Sequence, residues 1–339
     1  VLKTKLATLS IVFPLLTACG GNALQVKSEH VSDEKITEII ANIENLYPDA
    51  GKELKQHILE VAVKSIDDMV FIEGGSFMMG DFLAPCDAVD SDKMIWTLEA
   101  ACISSYTSYD TGAIDLHKVT LSNYSLSKYE TTYFEFDAFR LSNGLKVIKH
   151  DKRVTTPPES LSRYYDYPTP LKNWQEAKDY CTWVAKLTDL PFDLPTEAQW
   201  EYAARNQGKN VYYATNDGSI RFEEGALIGQ DGSYHEYTQD EINYENDYQK
   251  VGLLPPNPLG LYDMTGNTSE IVNDWYSSDY YKNSPEYNPQ GPRAGKMKSR
   301  RDLRGDKRFV TTRGSFGSQT KHMSSFGFRC ALQQTAAAW

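Results

Sequence analysis

The side chains of this 339-residue chain with the widest chemical reach are five cysteines and six histidines. The cysteines are Cys19, Cys86, Cys102, Cys181 and Cys330. No two have the spacing of a paired-thiol zinc ribbon or of a thioredoxin-type redox centre. The histidines are His30, His57, His117, His150, His235 and His322. None stands four residues from another, so no helix presents two imidazoles to one metal, and an iron site would have to be assembled from distant positions. His322 and Met323 are adjacent and of a type that can contact copper, although such a lone pair more often packs in a loop or core. The sequence contains no Ser-His-Asp pattern in a recognisable context and no glycine loop able to cradle phosphate.

Cys19 has a context of its own. Lys3 and Lys5 precede a mostly apolar run from Leu6 to Leu16, interrupted by Pro14. The run falls short of the ~20 apolar residues that span a bilayer. It closes on Leu16-Thr17-Ala18-Cys19, which resembles a bacterial lipobox, where the cysteine is acylated and becomes the mature N-terminus. Residues 1–18 are thus expected to be a lipoprotein signal peptide. Gly20, by resemblance to enteric lipoproteins, implies a lipid anchor in the outer membrane, with the protein in the periplasm. Export means an oxidising compartment. There the four remaining cysteines permit two disulfides in any of three connectivities.

The composition suits a packed domain rather than a disordered chain: 40% hydrophobic and 24% charged residues, with 22 Tyr and 6 Trp. Such aromatics anchor loop-rich folds and are favoured at protein interfaces. The net charge of −11 argues against nucleic acid, which needs basic surface to displace counterions, and suits a basic protein partner. The basic stretch Lys296–Arg304 reads as a solvated loop.

Several elements must position these residues. Residues 19–31 read as a polar tether. Ser32 caps a helix with Ile36, Ile39, Ile40, Ile43 and Leu46 at helical spacing, and Pro48 and Gly51 break it. Leu54, Ile58, Val61 and Ile66 predict a second helix. Residues 32–67 are therefore expected as a helical hairpin appendage, packed against the main domain or holding a partner. Met69–Gly80 predicts a strand, a Gly-Gly turn and a second strand. Ala177, Tyr180, Cys181 and Val184 line one face of a helix, and Thr196 caps another that runs through Trp200. The rest, rich in Gly, Asn, Asp and Pro, predicts long loops without internal repeats.

Five blocks in order over residues 69–332 resemble the formylglycine-generating enzyme, or sulfatase-modifying factor, superfamily. They are Met69–Gly80; His117-Lys-Val-Thr-Leu121 with Tyr129-Glu-Thr-Thr132; Leu194-Pro-Thr-Glu-Ala-Gln-Trp-Glu-Tyr-Ala-Ala-Arg205; Asn257-Pro-Leu-Gly-Leu-Tyr-Asp-Met-Thr-Gly-Asn267; and Arg313-Gly-Ser-Phe316 with Gly327-Phe-Arg-Cys-Ala331. The resemblance implies an α+β fold over residues 68–334, the loop-rich formylglycine-generating-enzyme variant of the C-type lectin fold, with 335–339 as a tail. It also implies a structural disulfide between Cys181 and Cys330. Cys86 and Cys102 flank an insertion and are expected to close a loop with a second disulfide, contributing ~3 kcal/mol in the chain-entropy model. A structural calcium ion near Asn267 and Glu270 is a further implication, since hard oxygen donors suit that cation; no other cofactor is expected.

The oxidase members of the superfamily use two cysteines between the two parts of the fifth block, here Arg313-Gly-Ser-Phe316 and Gly327-Phe-Arg329, to bind copper. Here residues 313–329 contain none, and Ser318 and Ser324 are no substitute for soft thiolates. No catalytic residue is assigned. A retained fold without those thiols points to binding, by analogy with the fold's other uses. The function expected is a periplasmic protein-binding lipoprotein. Its most specific form is an immunity protein against a type VI secretion effector such as a phospholipase, as in similar lipoproteins with this domain. The alternatives are a metal-dependent oxidase with a rearranged site and an envelope assembly or structural lipoprotein.

Overall fold

A computed structural model describes residues 23–82, 115–148, 166–211, 213–215, 249–253, 255–302, 309–320 and 326–334, with residues 222–223, 226–228 and 236–238 as short strands. The signal peptide, Cys19, Cys86, Cys102, His150, His235, His322, Met323, Ser324 and the tail lie outside the described residues.

The N-terminal helices form as their caps and periodicity dictate. Helix α1 (Asp33–Leu46) starts where the Ser32 hydroxyl accepts from the Lys35 N–H at 3.2 Å. Its Ile36, Ile39 and Ile43 are buried. Helix α2 (Lys52–Asp67) buries Ile58, Leu59, Val61, Ala62 and Ile66. These side chains share one apolar core with α3 (Tyr133–Ser142) and α4 (Trp174–Thr188). The hairpin is therefore part of the main packing, and residue 67 is no packing boundary. Trp183 Nε1 on α4 donates to the Tyr47 hydroxyl at 2.7 Å, tying α4 to the end of α1. Phe136, Tyr180 and Phe328 meet at ring separations of 5.5–5.9 Å. Cys181 and Cys330 are joined by a disulfide with Cα atoms 5.7 Å apart, linking α4 to the last strand.

Within the tether expected over residues 19–31, residues 23–31 are docked on the domain. Leu24 and Val26 pack against this first core. The Gln25 N–H donates to Gln56 Oε1, and Gln56 Nε2 donates back to the Gln25 carbonyl. Alternate apolar residues give an extended segment one face to bury.

The strands form four sheets. In the first, β1 (Met69–Ile72), β4 (Tyr124–Ser127), β13 (Ala331–Leu332) and β5 (Phe192–Asp193) run antiparallel in that order. In the second the order is β11 (Arg313–Gly317), β10 (Met297–Arg301), β9 (Ser269–Trp275), β12 (Phe326–Gly327), with β12 parallel to β9. The third pairs β2 (Ser76–Met79) with β3 (His117–Thr120). The fourth is a small meander of β6 (Phe222–Glu223), β7 (Ala226–Ile228) and β8 (Glu236–Thr238).

The expected pairing of β1 with β2 across a Gly-Gly turn does not occur; the two strands join different sheets. A Cβ at Gly74 would lie 2.2 Å from the Leu121 carbonyl oxygen. The glycine thus serves a close backbone crossing between sheets rather than a hairpin. Nor is the basic stretch a solvated loop. Residues 297–301 form β10, with Lys298, Ser299 and Arg301 buried. Buried cations need partners, and helix α5 (Glu197–Ala204) supplies carboxylates to Arg301. This helix and the first three sheets enclose a second core, which includes Trp200, Tyr124, Leu126, Val119 and Val272.

Candidate functional site

The motif around α5 assembles first. Thr196 accepts from the Gln199 N–H, while Gln199 Oε1 accepts from the Thr196 N–H, a reciprocal cap that fixes the helix start. Four-residue spacing then puts Glu197, Glu201 and Arg205 on one helix face. Arg301 on β10 donates from Nη1 to Glu197 and from Nη2 to Glu201, each at 2.9 Å. Arg205 Nη1 donates to Glu201 Oε1 at 2.9 Å, and the Gly80 N–H donates to the same oxygen. Arg313 on β11 reaches Glu197 at 3.3 Å and lies over the Tyr281 ring, whose hydroxyl donates to Glu197. Burial alone would raise the Glu201 carboxyl, but Arg301, Arg313 and Arg205 hold it down at about 2. Breaking such a buried pair from one side costs about 3–5 kcal/mol. These motif carboxylates are therefore occupied in holding the fold.

A second buried network contains Asn267 and Glu270. Glu270 Oε1 accepts from Arg329 Nε and Nη2; Oε2 accepts from Arg329 Nε and from Trp200 Nε1 at 3.0 Å. Asn267, at a left-handed φ of 56°, donates to Glu130 and accepts from the Gln249 N–H. Burial, then Asp263 and Glu270, raise the Glu130 carboxyl, and burial pushes Asp263 up to about 6. Both Glu270 oxygens are thus committed to protein donors, and this side-chain set does not fit a calcium ion. Among the described residues no group of three or more His, Cys, Asp or Glu side chains is arranged to hold a metal.

The described histidines stay apart. His57 Nε2 lies 2.8 Å from the Phe134 carbonyl, with its ring against Phe134, and burial lowers its pKa. His117 Nδ1 lies 2.8 Å from the Asp115 carbonyl beside the α5 network. The His30 N–H donates to Ser28.

After β11 the chain reaches Ser318, whose N–H donates to the Lys296 carbonyl at 3.0 Å. This is where the oxidases' thiol segment begins. Its hydroxyl is a hard donor and does not fit cuprous ion. On the neighbouring strand, Lys298 pairs in register with Phe316 and Trp275. Its Nζ lies 3.6 Å from the Trp174 ring centre and 4.0 Å from that of Trp275, and donates to the Asn273 carbonyl. Burial lowers this amine to about 8. Beside it, Arg300 lies over Phe326 at 5.0 Å. The end of the sheet is filled by cations stacked on aromatic rings. Nothing in the sequence reading singled out Lys298, Trp275 or Tyr281. The signal available was four tryptophans, Trp174, Trp183, Trp200 and Trp275, within a strongly patterned region.

A separate cleft of about 690 Å³ is lined in part by Lys64, Tyr129, Phe134, Lys250 and Leu253. Both lysines already have carboxylate partners: Asp68 and Glu135 for Lys64, Asp166 for Lys250.

Comparison with known proteins places this geometry. The sulfatase-modifying factor enzyme 1-like domain matches residues 55–334. Serine/threonine-protein kinase pkn1 of Chlamydia pneumoniae is 29% identical over 285 residues, covering 78% of this chain and 38% of the kinase. The formylglycine-generating enzyme of Mus musculus is 29% identical over 189 residues, covering 54% of this chain and 48% of the enzyme. The chain thus spans less than half the length of either relative. The solved structure of PvdO from Pseudomonas aeruginosa superposes with a TM-score of 0.56 at 24% identity, covering 78% of this chain and 94% of PvdO, a likeness of fold.

Proposed function

The chain belongs to the sulfatase-modifying factor enzyme 1-like domain family, and from that premise we propose that it is a protein-binding lipoprotein without the family's oxidase chemistry. One observation carries this reading: residues 313–329 hold no cysteine, and the sheet beside Ser318 is packed with Lys298 between Trp174 and Trp275. A hydroxyl at Ser318 supplies neither the thiolate nucleophile nor the soft ligand that copper-dependent oxidation needs. The net charge of −11 suits a basic protein surface, and exposed Met78 and Tyr287 offer apolar contact on the β2–β3 ribbon and beside it. In its most specific form the protein is a periplasmic immunity protein that neutralises a type VI secretion effector of the phospholipase type.

The test is a calorimetric titration of the purified chain against the product of the adjacent gene, with that product's lipase activity followed in parallel. Saturable binding with loss of activity supports immunity. Absence of heat at micromolar concentrations retires immunity toward that partner. Stoichiometric copper in the same sample would instead favour the alternative, an oxidase with a rearranged site.

A further inference from the structure

We propose that residues 23–31 act as a strap that holds the domain on the bilayer with helices α1 and α2 facing the lipid. The inference rests on the lipoprotein reading of Cys19, and adds an orientation to it. Burial along the strap alternates, with Leu24, Val26 and Ser28 turned inward and Gln25 and Lys27 outward. Two reciprocal hydrogen bonds join Gln25 to Gln56 in the second turn of α2. Further along, Ser28 Oγ donates to Asp67 Oδ1 at 2.5 Å and accepts from the Val31 N–H at 2.7 Å. The chain is thus fastened at both ends of the strap before α1 begins.

Contour length decides the consequence. From Cys19 to Leu24 there are five residue steps, which span at most about 18 Å when fully extended. Were the chain free as far as Ser32, the reach would be about 45 Å, enough for the domain to tumble above the membrane. Fastened at Leu24, the strap's partners on α1 and α2 must stay close to the headgroups. Electrostatic adsorption does not supply this proximity. The exposed side of α1 carries Asp33, Glu34, Glu38 and Glu44, and Lys35 is paired with Glu38 at 3.0 Å. Anionic lipid gains nothing from such a surface. The proximity is therefore mechanical and is not lost as salt is raised, because salt screens only the repulsion between this acidic surface and anionic headgroups. It leaves the β2–β3 ribbon, which the strap does not touch, available to a soluble partner.

The experiment uses the full lipidated chain in phosphatidylethanolamine–phosphatidylglycerol vesicles carrying a headgroup-attached quencher. A fluorescent amino acid is placed at Glu34 on α1 or, in a separate sample, at Tyr287 beside β3. Quenching several-fold stronger at Glu34 than at Tyr287, at low and high salt alike, is the expected result. In the Gln56→Ala, Ser28→Ala double variant, which removes the strap's side-chain hydrogen bonds to α2 together with the contact of Gln56 with Glu60, that difference collapses. Equal quenching in the unaltered chain, or a difference that survives the double variant, overturns the proposal. Mass spectrometry of the same sample separates the two readings. An unacylated Cys19 overturns the lipoprotein reading and the strap proposal with it, whereas an acylated Cys19 with equal quenching overturns the strap proposal alone.

Discussion

The two cores of this protein are built on different physics. The first, under α1 to α4, is apolar: isoleucines from the hairpin meet Phe136, Tyr180, Trp183 and Phe328, and one disulfide fastens it to the last strand. The second surrounds Trp200, and its margins bury Arg205, Arg301, Arg313 and Arg329 completely. Apolar packing tolerates exchange among side chains of similar volume. A buried ion pair does not, because losing either member strands a charge in a medium of low dielectric. The motif residues of the family's most specific block, Glu197, Glu201 and Arg205, accordingly sit in the ionic region. They mark what the fold cannot exchange, and their presence is no sign of catalysis.

This contrast can be broken most directly at Arg301. Arg301→Met removes the guanidinium shared by Glu197 and Glu201 and leaves two buried carboxylates with less positive charge than they need, and a loss of about 3–5 kcal/mol in urea unfolding is expected. In the first core Ile39→Val should cost only about 0.5–1.5 kcal/mol. Equal losses at the two sites would remove the distinction. Replacing Cys181 and Cys330 together by alanine should cost about 2–5 kcal/mol, read in the same assay, because the disulfide closes a long loop in the unfolded chain.

Acidity sharpens the comparison. Burial, then the Glu197 carboxylate, push Asp274 up to about 8, and Asp263 stands at about 6. Acids raised in the folded state stabilise it fully below their unfolded value near 4, and that contribution is lost as pH rises through about 6 and about 8. Glu201, held at about 2, acts in the opposite sense: its contribution is present above about 4.5 and lost as pH falls toward about 2. Thermal melts should therefore show Asp274→Asn gaining on the unaltered protein between pH 4 and pH 8. A constant offset across that range would contradict the assignment. The smallest effect is expected from Lys298→Met, about 1 kcal/mol, for loss of its contact with two indoles. It should appear mainly as a change in tryptophan near-ultraviolet circular dichroism.

Legibility in the sequence follows the same division. Helices α1, α2 and α4 could be read from Ser32, the spacing of isoleucines and the shared face of Ala177, Tyr180, Cys181 and Val184, since caps and periodicity are local. Helix α3 escaped that reading, although Thr132 and Glu135 form the local signal: the Glu135 carboxylate accepts from the Thr132 N–H at 2.7 Å. The ionic region was opaque because its partners are remote; Glu197 and Arg301 lie 104 residues apart. Lys296–Arg304 looked like a solvated run only because carboxylates at Glu197 and Glu201 could not be seen across that distance. The strap was missed for a related reason, since Leu24 and Val26 are too few to announce an extended docking segment.

The proposal that this fold is retained without thiol oxidation is tested most directly by oxygen uptake. The purified chain, loaded with copper and supplied with a cysteine-containing peptide and reductant, is followed with an oxygen electrode while the peptide is weighed by mass spectrometry. Uptake no greater than that of copper and peptide alone, with the peptide mass unchanged, is the expected result. Enzyme-dependent uptake with conversion of the cysteine to an aldehyde would contradict it.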